Sequence, residues 1–184
     1  SRINFEYVDL GGGFGIQYEN NDKKINIRNY SLLVEKFQKR MNCKIIFEPG
    51  RFIIGNSGSL ISKIVFIKKS GNKHFIILDA GMNDFMRPAL YGAKHNIIPV
   101  LKSKKNITGN IEFVGPICES TDTFLKYKKY TLLKENDLVA ITNVGAYGST
   151  LSSNYNSRPL ASEIIVKNGK IKVIRKRQKI SEII

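Results

Sequence analysis

Most of the chain takes its architecture from LISKIVFIKKSGNKHFIILDA, Leu60 to Ala80. Leu60 to Lys69 and His74 to Ala80 are strand-like runs rich in Ile, Val and Phe, and Ser70-Gly71-Asn72-Lys73 between them reads as a hairpin turn. Working outward toward the C-terminus, further short strands are expected at about Ile97 to Lys102, Ile111 to Val114, Leu138 to Thr142 and Glu163 to Ile174. Asn168-Gly169 splits the last of these into a two-residue hairpin, in which Ile171 and Val173 alternate with lysines. No second long helical pattern follows Gly58. Residues 57–184 are therefore expected to form a closed or stacked antiparallel β-domain, a barrel or sandwich, with a boundary near residues 56 and 57.

Upstream of the boundary the pattern is different. Phe5 to Leu10 is a short apolar run that ends in Gly11-Gly12-Gly13, as a buried strand would. In residues 29–41, Tyr30, Leu33, Val34, Phe37 and Met41 recur at helical spacing, with Asn29 as N-cap and Asn42 as a left-handed stop. Lys44 to Phe47 resumes as a strand. Strand, helix and strand in that order imply a parallel crossover, the unit of an α/β sheet or barrel. The glycine turn and Glu48-Pro49-Gly50-Arg51 then fall at neighbouring strand C-terminal ends, where ligand sites sit in such folds.

Several residues along the chain are suited to chemistry. The three glycines let backbone N–H groups approach an anion, although a merely tight turn has the same composition. Gly50 can offer an N–H to a phosphate, and Arg51 can fork two donors onto a carboxylate or phosphate unless it pairs with Glu48. Asp79 to Tyr91 is an irregular loop carrying Arg87 and Tyr91. Pro88 disfavours a helix at Arg87, which otherwise reads as a surface arginine over an aromatic ring. Tyr147, between Gly145 and Gly148, is either a phenol aimed at a ligand or a packed ring. Cys118 and Glu119 stand in a turn between two strand-like runs. A thiol unperturbed by its surroundings titrates near ~8.5, so a cysteine can hold a proton at neutral pH and still surrender it. The alternatives are a small buried hydrophobe at Cys118 and a solvated loop charge at Glu119.

Composition narrows the classes. The chain has 184 residues, 42% hydrophobic, enough for one or two domains with a sizeable core. Its formal charge of +15 comes from 30 basic and 15 acidic residues. The lysines are scattered through a Lys-, Ile- and Asn-rich chain, and the clusters Lys102 to Lys105, Lys126 to Lys129 and Arg175 to Lys179 carry no aromatic ladder beyond Tyr127 and Tyr130. A basic nucleic-acid-binding β-domain is thus a minor alternative, and no nucleic acid is expected as a partner. No apolar run approaches the ~20 residues that span a bilayer, so no membrane association is expected. Cys43 and Cys118 have neither disulfide-framework nor zinc spacing, and with His74 and His95 they form no metal site, so no metal is expected. A reducing cytoplasm is the expected compartment. The start at Ser1, running straight into a strand, reads as the start of a fragment.

Taken in order, Gly11-Gly12-Gly13-Phe14-Gly15, Glu48-Pro49-Gly50-Arg51, Asp79-Ala80-Gly81-Met82-Asn83-Asp84, Arg87-Pro88-Ala89-Leu90-Tyr91, Val114 to Ser120 and Gly145-Ala146-Tyr147 resemble the second half of the diaminopimelate decarboxylase family. Ser152 to Pro159 extends the resemblance, which runs from about Asp9 to the C-terminus. It implies that residues 1–56 are the last strands of a pyridoxal-phosphate-binding (β/α)8 TIM barrel and that 57–184 are the β-domain following it. It assigns cofactor contacts, to pyridoxal 5'-phosphate, to Gly13, Glu48, Pro49, Gly50, Arg51 and Tyr147. Substrate contacts fall to Arg51, Arg87, Tyr91, Glu119 and Tyr147, with Arg51 and Arg87 clamping the distal carboxylate of diaminopimelate. Cys118 becomes the proton donor after carbon dioxide leaves, reaching with Glu119 into the barrel of the partner in a homodimer, and L-lysine is the product. The family's Schiff-base lysine lies upstream of Ser1, so the chain alone is expected to be inactive. Decarboxylation of another basic amino acid, of the ornithine or arginine type, and a truncated non-catalytic binding homologue are the other readings.

Overall fold

The computed structural model describes residues 4–18, 22–101 and 103–184. Ser1 and Lys102, the end of one expected strand, lie outside them. Strand β1 (Tyr7–Asp9), helix α1 (Ile27–Met41) and strand β2 (Lys44–Ile46) form the expected crossover, and β1 pairs with β2 in parallel. The helix begins two residues earlier than the apolar pattern implies, because the Asn26 side chain accepts the Asn29 N–H at 3.0 Å and caps the first turn. It stops at Asn42, whose backbone is left-handed. Cys43 beyond it is buried, whereas α1 itself buries no residue and leaves Leu33, Phe37 and Met41 exposed. A short helix, α2 (Gly50–Ile54), and a 3-10 turn over Gly55–Ser57 lead into the β-half.

That half is organised on β3 (Ser59–Ser70) and β4 (Lys73–Leu78), which pair antiparallel through a turn at Gly71-Asn72, as expected. After them come a short helix α3 (Arg87–Tyr91) and strands β5 (Ile97–Pro99), β6 (Asn106–Val114), β7 (Thr123–Thr131) and β8 (Leu138–Thr142). The sheet runs β5-β8-β3-β4-β6-β7. Strand β3 changes partners halfway: Ser59 to Lys63 pair with β8, and Ile64 to Ser70 with β4, across an irregularity between Ile64 and Phe66 that turns the sheet. The purely antiparallel expectation is corrected here, since β4 and β6 run parallel. The chain crosses through the α3 region and β5 before returning as β6, and so enters from the same end as β4.

Ile64, Ile76, Leu78, Phe85, Ile111, Phe113, Val139 and Ile141 fill the interior. Each such side chain contributes roughly 1.5–3 kcal/mol when it leaves water. The edge strands meet through side chains: Tyr127 Oη accepts the Ile97 N–H at 3.0 Å, and Tyr130 Oη donates to the Ile97 carbonyl at 2.7 Å. The result is a nearly closed mixed sheet. Strands β9 (Glu163–Lys167) and β10 (Lys170–Arg175) form a separate hairpin about Asn168-Gly169, both in the left-handed region that its two-residue turn requires.

Candidate active-site cleft

The glycine turn follows β1, and Glu48 follows β2, so parallel pairing brings them side by side. The Glu48 N–H donates to the Gly11 carbonyl at 2.9 Å, and a side chain on Gly12 would overlap the Glu48 carbonyl. Phe14 then packs edge-on against Tyr30 of α1 and Phe47, at 5.1 and 5.8 Å between ring centres, which fixes the turn over the start of α2. From the β-half, the segment after β8 is hung on the 3-10 turn: Val144 donates to Gly58 and Gly145 to Gly55, each at 3.0 Å. Gly58 has room for this approach only because a Cβ there would lie 2.7 Å from Gly145 Cα.

Tyr147 is thereby carried over α2. Its backbone is left-handed, φ 60°, an uncommon state for an aromatic residue that its neighbours must enforce. Gly13, Phe14, Glu48, Gly50, Arg51 and Tyr147 line one cleft of about 260 Å³. Five of the six residues expected to hold the cofactor converge there, and the sixth, Pro49, caps α2 beside them. The Gly50 N–H donates back to the Glu48 carbonyl at 2.8 Å, so what Gly50 contributes to the cleft is an absent side chain. The expected alternative for Arg51, a pairing with Glu48, is not among the ion pairs of the described residues.

Arg87 corrects two expectations. It opens α3 rather than standing in an extended loop, because Pro88 sits in the first turn, where a missing N–H costs nothing. It is also buried, not a surface residue. Its guanidinium carbon lies 5.6 Å from the ring centres of both Tyr91 and Tyr147, and Tyr147 is shared with the cleft. Among the described residues neither Arg51 nor Arg87 has a carboxylate partner. A buried cation without counter-charge is costly, so the arrangement is built to receive an anion.

His95 is the residue that sequence reasoning undervalued. It is fully buried, with its ring edge-on to Phe85 and Tyr18 at 4.6 and 4.8 Å. Its Nδ1 lies 3.0 Å from the Thr142 carbonyl, which can only accept, so Nδ1 carries the proton and Nε2 accepts Arg87 Nε–H at 3.4 Å. Burial, together with the Arg87 and Arg51 charges, lowers its pKa to about 4 against the opposing pull of the Thr142 carbonyl. No periodicity marks it. It stands in a polar loop, and only its place eight residues after Arg87 hints at the contact.

Cys118 and Glu119 do not line the cleft. Both are exposed at the tip of the β6–β7 turn, where Glu119 accepts from the Thr121 N–H and from Ser120 Oγ, bonds that hold its carboxyl below the usual range. The turn is anchored by Asp122, which was also overlooked. Its buried carboxylate accepts the N–H of Ile117 at 2.8 Å and of Met82 at 2.7 Å, tying the Cys118 turn to the loop that leads to Arg87. Burial pushes that carboxyl upward despite those donors. His74 does not line the cleft, and the described residues contain no cluster of ligands for a metal ion.

A guanidinium with no carboxylate partner among the described residues, a phenol and two glycines fit a phosphate-bearing group. Residues 16–145 match the family described as pyridoxal-dependent decarboxylase, C-terminal sheet domain, and the chain belongs to that family. Within it, the chain is similar to diaminopimelate decarboxylases. It is 44% identical over 177 residues to that of Aquifex aeolicus, covering 96% of this chain and 42% of the relative. It is 44% identical over 181 residues to that of Helicobacter pylori, covering 98% and 44%. The crystal structure of the Helicobacter pylori diaminopimelate decarboxylase complexed with L-lysine superimposes with a TM-score of 0.87 at 43% identity, over 97% of this chain and 43% of that one. The chain thus spans less than half the length of these relatives. No helix among the described residues is long and apolar enough to cross a membrane.

Proposed function

We propose that the chain is the C-terminal part of a cytoplasmic diaminopimelate decarboxylase, which releases carbon dioxide from meso-2,6-diaminopimelate to give L-lysine. Residues 1–56 are the end of its TIM barrel and 57–184 its β-domain. The observation that carries this reading is the buried Arg87, without a carboxylate partner among the described residues, sharing the Tyr147 ring with the cleft that holds Arg51. A substrate with a carboxylate at its unreactive end supplies the missing charge. The open outer face of α1 and the two-stranded β1–β2 sheet support the barrel assignment.

Gly13, Glu48, Pro49, Gly50, Arg51 and Tyr147 would hold pyridoxal 5'-phosphate, which when bound supplies the electron sink that lets a carbon–carboxylate bond break. Arg51, Arg87 and Tyr91 bind the distal carboxylate and orient the substrate so that the other carboxylate leaves. The tyrosine rings lie against Arg87, which is itself buried, and a buried setting strengthens that pairing. Cys118 Sγ delivers a proton to the carbon that has lost carbon dioxide, and Glu119 takes the substrate ammonium group. Because the Cys118 turn is exposed away from its own cleft, the two residues serve the cleft of a second copy in a homodimer.

Assay of the full-length protein tests this directly. Carbon dioxide release from meso-diaminopimelate is expected to exceed release from ornithine or arginine, and Arg87→Ala is expected to lose roughly 2–5 kcal/mol of catalytic efficiency on diaminopimelate, the usual cost of unpairing a buried charge. Equal rates on ornithine, or an unaffected Arg87→Ala, would end the carboxylate-clamp reading.

A further inference from the structure

Among the described residues, the open face of α1, the β9–β10 hairpin and the groove between α3 and β7 are exposed outside the cleft, and nothing in the structure shows what covers them. The buried His95–Arg87 pair carries an inference further. We propose that His95 is a positioning residue for Arg87: by taking the Nε–H, it leaves the two terminal Nη groups as the face presented to a ligand, so the distal carboxylate of the substrate is recognised end-on. The inference rests on the carboxylate-clamp reading above and adds the geometry of the clamp.

A guanidinium can grip a carboxylate in two bidentate ways, through Nη1 and Nη2 at its end or through Nε and one Nη at its side. His95 Nε2, 3.4 Å from Arg87 Nε, occupies the side. The contact is long, so what it contributes is direction more than strength. The imidazole cannot yield the position by turning. Nδ1–H is held by the carbonyl of Thr142, the last residue of β8, which is paired with Ser59 of β3, and Phe85 and Tyr18 meet the ring edge-on. A rigid line therefore runs from the sheet through the imidazole to the guanidinium, and Tyr91 and Tyr147 confine the guanidinium further along. The neutral ring is essential to this role. An imidazolium has no acceptor and would repel Arg87.

The test uses the full-length protein loaded with pyridoxal 5'-phosphate and two probes that differ by one carboxylate, L-lysine and cadaverine, titrated by calorimetry. His95→Phe keeps the ring shape and removes the acceptor. It is expected to weaken L-lysine about 10-fold, which is about 1.4 kcal/mol, and to leave cadaverine within about twofold, within the usual range of a neutral change. His95→Gln, whose amide oxygen reaches toward Arg87 Nε, is expected to recover most of the loss. Equal weakening of both probes, unchanged L-lysine binding, or a His95→Gln variant no better than His95→Phe overturns the proposal. Arg87→Ala separates the two levels: if it too leaves L-lysine unchanged, the clamp itself falls, and the positioning role with it. A measurement without substitution stands beside these. The ¹⁵N shifts of His95 in the unmodified protein are expected to report an Nδ1–H tautomer, and an Nε2–H tautomer overturns the proposal even if no variant folds.

Discussion

The segment from β1 through α2 and the six-stranded sheet are built on opposite economies. Helix α1 buries nothing, and apart from Cys43 and Gly55 the described residues from Phe5 to Gly55 are at least partly exposed, whereas β4, β6 and β8 each seal at least two side chains from water. Yet the cleft belongs to neither alone: Gly13, Glu48 and Arg51 come from the first region and Tyr147 from the second. The strained Tyr147 and the buried His95 both lie on the sheet side of the seam, where the segment after β8 is bonded to Gly55 and Gly58 and His95 to Thr142.

The contrast can be broken most forcefully in the sheet. Phe113→Ala, at a site with no exposed surface, is expected to cost ~3–5 kcal/mol, read from the urea midpoint of the full-length protein. A loss below ~1 kcal/mol would mean that Phe113 is not part of a close-packed interior. Next in size is the effect of pH at the seam. The folded pKa of His95, about 4, lies below its ordinary 6.5. Between those values the unfolded chain binds the extra proton, so stability is complete above pH 6.5 and falls toward pH 4 by at most ~3 kcal/mol. Asp84 and Asp122, raised by burial, act in the opposite sense. The His95 share is therefore the difference between the unmodified protein and His95→Phe across that window, and identical pH profiles would assign the loss elsewhere.

Asp122→Ala removes the acceptor of two backbone N–H groups, and is expected to cost ~1–3 kcal/mol in unfolding free energy. It is also expected to raise amide hydrogen exchange at Met82 and Ile117 before the rest of the sheet. Uniform exchange across the sheet would show that the carboxylate anchors the whole domain and not these two loops. The smallest effect belongs to the first region. In the chain as it stands, Leu33→Ala is expected to stay within ~0.5 kcal/mol, as at other exposed positions. In the full-length protein a cost of ~2 kcal/mol or more would show that another part of the polypeptide covers the helix.

What the sequence disclosed follows the strength of local signals. The turns at Gly71-Asn72 and Asn168-Gly169 were legible because left-handed backbone has few sequence solutions, and Asn42 marked its helix end for the same reason. Strand β7 was not legible: Lys126, Lys128 and Lys129 crowd its outward positions, so it reads as a basic cluster although Phe124 and Thr131 are buried. The parallel pairing of β4 with β6 is set by where the chain crosses, a non-local choice that leaves no pattern in either strand. Within the cleft, glycines and Arg51 were legible as residue types. Their meeting with Tyr147 depends on bonds between Gly55, Gly58 and Gly145, nearly ninety positions apart, and only resemblance brought them together beforehand. Burial of Arg87 and His95 was invisible, since polar residues in a polar loop give no sign of facing inward.

The closure of the sheet through Ile97 gives the molecule a built-in gauge. Both polar groups of one peptide residue depend on phenols thirty or more positions away. In a ladder each strand would shelter many amides at once, but here the Ile97 N–H is the backbone amide that the phenols shelter. Deuterium uptake at the Ile97 amide therefore times the parting of the two edges, and in a chain without tryptophan it does so where intrinsic fluorescence has little to offer.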